Sequence, residues 1–144
     1  MVKAVVGVKG FYFSASHYTL GAESKCRNLH GHTYRVDVEV CGDVDESTGM
    51  VVDFLILKRV VEEVLRDYDH KLLIPRRDLE SVSIRGPFSV EVKVLEYPHA
   101  TAEYLALDIA RRVREKIGLP VRVKLYEGHR NYVVIALGEF TGCS

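Results

Sequence analysis

The chain has 144 residues, 47% of them hydrophobic and 28% charged, with 20 basic and 20 acidic side chains and a formal net charge of zero. That length suits one domain with a real core, and the apolar content argues against disorder. Balanced, interspersed charge gives no basic block for nucleic acid, no apolar run nears the roughly 20 residues of a membrane span, and the opening MVKAVVGVKG lacks a signal-peptide core. In chain order, residues 3–16 alternate as a strand, with Phe11, Phe13 and Ala15 on one face and Tyr12, Ser14 and Ser16 on the other. Residues 18–31 read as a long loop. HTYRVDVEVCG then alternates strictly: His32, Tyr34, Val36, Val38 and Val40 share a core face, while Thr33, Arg35, Asp37, Glu39 and Cys41 face solvent.

DVDESTG is a turn. Asp53 can cap a helix whose buried stripe is Phe54, Leu57, Val61, Val64, Leu65 and Tyr68, fading near Asp69-His70. Pro75 and the following RRD mark a loop, and ESVSIRGPFSVEVKV reads as a hairpin around Gly86-Pro87. Thr101 opens a second helix, with Ala102, Leu105, Ala106, Ile109, Val113 and Ile117 inward and Gly118 and Pro120 ending it. The strands VRVKLYE and NYVVIAL follow, joined by a turn at residues 128–130. This order predicts an α+β domain over residues 1–144, an antiparallel sheet with two helices on one face and an extra hairpin. Its open edge strands favour burial by other subunits.

KCRNLHGHTYRV, residues 25–36, concentrates the chemistry. His30 and His32 are two apart and point to one face, and His17 ends the first strand on the Phe11–Phe13 face. If the two strands pair as a hairpin, three imidazoles meet at one end. Three neutral imidazoles suit zinc and leave a fourth position open, the pattern of a catalytic rather than a structural site. A bare His-x-His is more often a pair of ordinary loop histidines; the third histidine carries the reading. Cys26, flanked by Lys25 and Arg27, is a candidate base or nucleophile, or else a fourth ligand or an idle thiol. Three cysteines are an odd number, which argues against a disulfide framework and for a reducing cytoplasm. Cys41 and Cys143 read as incidental.

Asp69 beside His70 can fix one imidazole tautomer and raise its basicity, although Asp-His is also a common surface dipeptide. Glu127 follows Val121, Val123 and Leu125 on one strand face, so its carboxylate ends a buried face and needs partners. A ligand edge with two adjacent N–H donors would serve; the plainer alternative is a strand end leaving into solvent. Glu103, in the first turn of its helix, suits the helix dipole.

Taken in order, FSASH (13–17), C-x-x-x-H-G-H (26–32), GMVVDF (49–54), DYDHKLL (67–73), ATAE (100–103) and YE (126–127) resemble the 6-pyruvoyltetrahydropterin synthase and 6-carboxytetrahydropterin synthase family. The resemblance spans nearly the whole chain. It implies the tunnelling fold, in which each subunit gives a four-stranded antiparallel sheet and two helices and subunits close into a barrel. It further implies a cytoplasmic homo-hexamer, a dimer of trimers, with active sites at subunit interfaces.

The implied ligands are His17, His30 and His32 for zinc, with Cys26, Asp69 and His70 catalytic and Glu127, Thr101 and Glu103 at the pterin. The implied reaction is a zinc-dependent lyase step on 7,8-dihydroneopterin triphosphate. Three residues between Cys26 and His30 resemble the carboxy-forming enzymes of the queuosine route, whereas the animal pyruvoyl-forming enzymes have a longer gap. The pyruvoyl product and cleavage of dihydroneopterin are the alternatives within the family. A zinc-stabilised assembly module without catalysis is the alternative from another class.

Overall fold

A computed structural model describes residues 1–21 and 24–143, so two positions of the expected 18–31 loop lie outside the described residues. The first strand, β1 (Lys3–His17), pairs antiparallel with β2 (His30–Asp43), and its alternation changes phase midway. Val8 faces Val38 but Phe11 faces Val36, so β1 carries one extra residue there. Gly10 absorbs it at φ 80°, a left-handed conformation costing other L-residues about 1–2 kcal/mol. Asp37 Oδ1 accepts the Gly10 N–H at 2.9 Å. Because side chains alternate every residue, the bulge lets Val8 before it and Phe13, Ala15 and His17 after it all face the core. His17 therefore owes its inward direction to Gly10.

Helix α1 (Phe54–Arg66) starts at Asp53, whose carboxylate accepts from Leu55 N at 2.7 Å. It buries Leu57, Val61, Val64 and Leu65, with Tyr68 just beyond. Phe54 does not join this stripe and is 53% exposed. Side chains lean toward a helix N-terminus, so a first-turn residue leans off the end. Helix α2 (Ala102–Ile117) has Thr101 as N-cap and closes at Gly118, φ 76°. Both helices pack in one core with Val36, Val38, Val40, Val121, Val123 and Leu125. The last three come from β2's neighbour, formed after α2.

The sheet corrects the expected four antiparallel strands and the extra hairpin. With β3 (Lys71–Pro75), β4 (Val92–Leu95), β5 (Val121–Glu127) and β6 (Asn131–Leu137), it has six strands among the described residues, in the order β4-β3-β1-β2-β5-β6. β3 runs parallel to both β1 and β4, and the other pairs are antiparallel. Arg76–Ser81 is a 3₁₀ turn, and the stretch read as a hairpin contributes only β4. The apolar run of β3 is buried along Leu72, Leu73 and Ile74, as in parallel strands covered on both faces. That run took the pairing edge which the hairpin reading assigned locally.

Cys41 and Cys143 are not incidental: they form a disulfide with Cα atoms 5.9 Å apart across 102 residues. Strict alternation placed Cys41 in solvent, yet it is 3% exposed. The tail folds back over that sheet end, with Cys143 N donating to Phe140 O at 3.0 Å and Phe140 under the Arg122 guanidinium at 4.7 Å. Cys26 remains a free, exposed thiol. Among the described residues no helix is long and apolar enough to cross a membrane.

Candidate active site

Strand register builds the centre of the site. His17 lies opposite His30, Ala15 opposite His32, and Phe13 opposite Tyr34. On the other side of β2, Tyr34 lies opposite Glu127. One ligand atom from each of His17, His30 and His32 falls within 4.8 Å of the others. The three rings meet edge to face, with centroids 4.7–5.1 Å apart.

The donor set fits a metal ion. His17 Nδ1 is 2.6 Å from Ala100 O, and His30 Nδ1 is 2.6 Å from Asn28 O. A ring nitrogen donating to a carbonyl fixes the tautomer and leaves Nε2 as a lone-pair ligand. His17 Nε2 and His32 Nε2 are buried with no hydrogen-bond partner, an arrangement that is costly unless something else occupies them. Burial pushes His32 below the ordinary imidazole range, against the opposing pull of Glu127, which favours the neutral, ligating form. Among the described residues the cluster excludes Cys26. Metal analysis should therefore find His30→Ala and His32→Ala each depleted of metal relative to the parent. Full occupancy in both variants would remove the cluster as the metal centre.

Glu127 stands against this cluster. Its carboxylate oxygens lie 3.3 Å from His32 Nε2 and 3.8 Å from His17 Nε2. It also lines a cavity of about 400 Å³ with Thr101, Ala102, Glu103, Thr19 and Asn131–Val133. The three residues expected at a ligand, Thr101, Glu103 and Glu127, thus share one cavity, and Glu127 links it to the histidines.

Asp69 and His70 form a separate group. Asp69 Oδ1 accepts from Ser14 N at 3.0 Å and lies 3.0 Å from His70 Nδ1. The Ser14 amide, burial opposing it, and then His70 hold the Asp69 carboxyl below its usual range. His70 has φ 60°, donates its N–H to Ser14 O at 2.6 Å, and projects an 82% exposed imidazole. It lines a second cavity, of about 600 Å³, together with His32, Ser14, Ser16 and Thr33. Cys26 sits in the 3₁₀ turn Lys25–Arg27, capped by Ser24. Its carbonyl accepts from Thr19 N at 2.8 Å, which ties the turn to the chain just beyond His17. Arg27 donates to Leu20 O and so is engaged by the loop.

The carbonyls of Ala100 and Asn28 and the Tyr34 hydroxyl escaped the sequence reading. Tyr34 is fully buried, stacks on Phe13 at 4.9 Å, and its hydroxyl has no partner. Burial, and then the charge of Glu127, push its pKa up. Its place two residues after His32 on a buried face was the available signal.

The α+β sheet domain thus carries, as a class, three converging imidazoles that could hold a metal ion, near a cavity of small-molecule size. Comparison narrows this. The model of the 6-pyruvoyl tetrahydropterin synthase family matches residues 7–137. The chain is 37% identical over 140 residues, 87% of this chain and 85% of the other, to a Pyrococcus abyssi protein provisionally named 6-carboxy-5,6,7,8-tetrahydropterin synthase. It is 33% identical over 126 residues, 83% and 89% of the two chains, to the 6-carboxy-5,6,7,8-tetrahydropterin synthase of Haemophilus influenzae. The fold matches a crystal structure of 6-pyruvoyl tetrahydropterin synthase from Plasmodium vivax with a TM-score of 0.78 at 20% identity, covering 96% and 100% of the chains. This chain belongs to the 6-pyruvoyl tetrahydropterin synthase family.

Proposed function

We propose that this pterin synthase is a zinc-dependent lyase that converts 7,8-dihydroneopterin triphosphate to 6-carboxy-5,6,7,8-tetrahydropterin, in the cytoplasm and on the queuosine route. The observation that carries the reading is the pair of partnerless buried Nε2 atoms on His17 and His32, next to a cavity that Glu127 shares. The names of the Pyrococcus and Haemophilus relatives and the three-residue spacing from Cys26 to His30 favour the carboxy product over the pyruvoyl one. The Cys41–Cys143 disulfide removes the cysteine argument for a reducing compartment, and the cytoplasmic reading requires a cell of the hyperthermophile kind, whose intracellular proteins carry such bonds.

His17, His30 and His32 would hold the zinc. When bound, the metal supplies Lewis acidity that makes C–H bonds beside oxygen-bearing carbons of the substrate side chain easier to deprotonate. Glu127 accepts the ring N–H and exocyclic amino group of the pterin, a bidentate pairing that fixes orientation. Thr101 and Glu103 wall the same cavity. Cys26, as thiolate, takes and returns the side-chain proton, and His70, oriented by Asp69, relays protons on the other side. Triphosphate leaves, and one water is consumed in the carbon–carbon cleavage that releases acetaldehyde with the carboxy product.

Completion of this site by a homo-hexamer, a dimer of trimers, fits two observations. The sheet ends in edge strands β4 and β6, and Leu29 and Phe88, 53% and 58% exposed, rim the larger cavity.

Glu127→Gln tests the ligand class. It puts a donor opposite a donor, and leaving such groups unpaired costs about 1–3 kcal/mol. At about 1.4 kcal/mol per tenfold, pterin affinity should fall roughly ten- to a hundredfold by calorimetric titration. Equal affinities would reduce Glu127 to a strand-end residue.

A further inference from the structure

His70 is, among the described residues, the only residue other than glycine with a positive φ, at 60°. A side chain with a Cβ is crowded in that conformation, and such a residue persists only where its surroundings over-determine it. The imidazole supplies little of that hold, since it is 82% exposed. It takes its place from the backbone that carries it and from its contact with Asp69. β1 grips one side of the turn at residues 67–70: Ser14 N donates to Asp69 Oδ1 at 3.0 Å, and Ser14 O accepts from His70 N at 2.6 Å.

The other grip comes from two residues that the reaction does not use. Asp67 is the C-cap of α1, and its Oδ2 accepts from Lys93 Nζ of β4 at 2.6 Å and from Arg112 Nη1 of α2 at 2.9 Å. Part-exposed ion pairs add little stability, but two cations from two elements converging on one oxygen fix where the turn lies. Tyr68 is fully buried, and its hydroxyl donates to Asp108 Oδ2 of α2. The Tyr97 hydroxyl donates to the other Asp108 oxygen at 3.2 Å, so that carboxylate is itself held. The Arg112 guanidinium lies 5.4 Å from the Tyr68 ring centroid, and Asp67 and Tyr68 thus share Arg112. Phenylalanine would fill the same core space as Tyr68; the hydroxyl adds a directional tie between the turn and α2.

We propose that Asp67 and Tyr68 are positioning residues for the proton relay: they lock the α1–β3 turn to α2 and β4, and so hold His70 in its left-handed conformation where it lines the larger cavity. The inference rests on the relay reading of Asp69 and His70 above. The effect of Asp67 and Tyr68 passes through His70, and a misplacement of about 1 Å can cost about 100-fold in rate. Pterin is anchored at the smaller cavity, so its binding is untouched.

The test uses the metal-loaded full-length protein and 7,8-dihydroneopterin triphosphate. Asp67→Asn and Tyr68→Phe should each lose roughly 10- to 100-fold in kcat, with KM and metal content at the parent's values. In a His70→Ala background neither should lower kcat further, because residues acting as a unit are not additive. Arg122→Met, which removes a part-exposed ion pair with Glu39 far from the turn, should keep the parent's kcat. Parent-like kcat in Asp67→Asn and Tyr68→Phe beside an impaired His70→Ala would overturn the proposal and leave the relay standing. So would losses that add fully to that of His70→Ala, since the clamp would then act on the fold and not through His70. A His70→Ala variant with the parent's kcat, or a parent without turnover, removes the relay reading and the proposal with it.

Discussion

Cys26→Ala should lose about 10²- to 10⁴-fold in turnover, the usual contribution of a positioned proton-transfer group, while keeping its fold and its metal. The thiol is exposed on a short turn and packs against none of the core, so its removal leaves no cavity. It also stands outside the cluster of ligand atoms. The turn is tied by Thr19 N to the chain two residues past His17, which keeps the thiol near the metal end of the sheet. Steady-state kinetics with metal analysis on the same sample decides the role. Normal turnover removes Cys26 from the chemistry; loss of metal would make it a ligand.

Cys143→Ser should destabilise the protein by about 3–5 kcal/mol, because a crosslink closing a loop near 100 residues restricts the unfolded chain by about 4.7 kcal/mol in the entropy model. The separation here is 102 residues. For a chain of this size the melting temperature should fall roughly 10–20 °C. Reductant should bring the parent down to the same value and leave the variant unmoved. The disulfide sits at the sheet end where Lys3 pairs Asp43, whereas the histidines occupy the end where His17 pairs His30, so metal content should not change. A parent that melts identically with and without reductant, and titrates three free thiols, would contradict the crosslink.

The odd cysteine count pointed away from disulfides because it treated the three thiols as one set. They divide into a buried pair and one exposed thiol. That pairing depends on a tail crossing the sheet end, which no local pattern records. By contrast, β5 and β6 begin and end at the residues their alternation indicated, and Asp53 and Thr101 cap the helices as read. These features are local, and local chemistry specifies them. The histidine cluster was legible because two alternating strands joined as a hairpin bring their ends together. Glu127 was legible as an awkward carboxylate but not as a neighbour of His32, since that needs the register between β2 and β5. β3 was missed because a strand buried on both faces shows no alternation, and the apparent hairpin because β-propensity reports fit to a surface rather than a partner.

Metal-loaded protein incubated with 7,8-dihydroneopterin triphosphate should yield 6-carboxy-5,6,7,8-tetrahydropterin together with acetaldehyde and inorganic triphosphate, identified by mass spectrometry, and none of these should form with metal-free protein. A pyruvoyl pterin or a hydroxymethyl pterin as the main product would move the chain to another activity of its family. Substrate recovered unchanged from fully metal-loaded, correctly folded protein would contradict the enzyme reading and leave a metal-stabilised assembly module in its place.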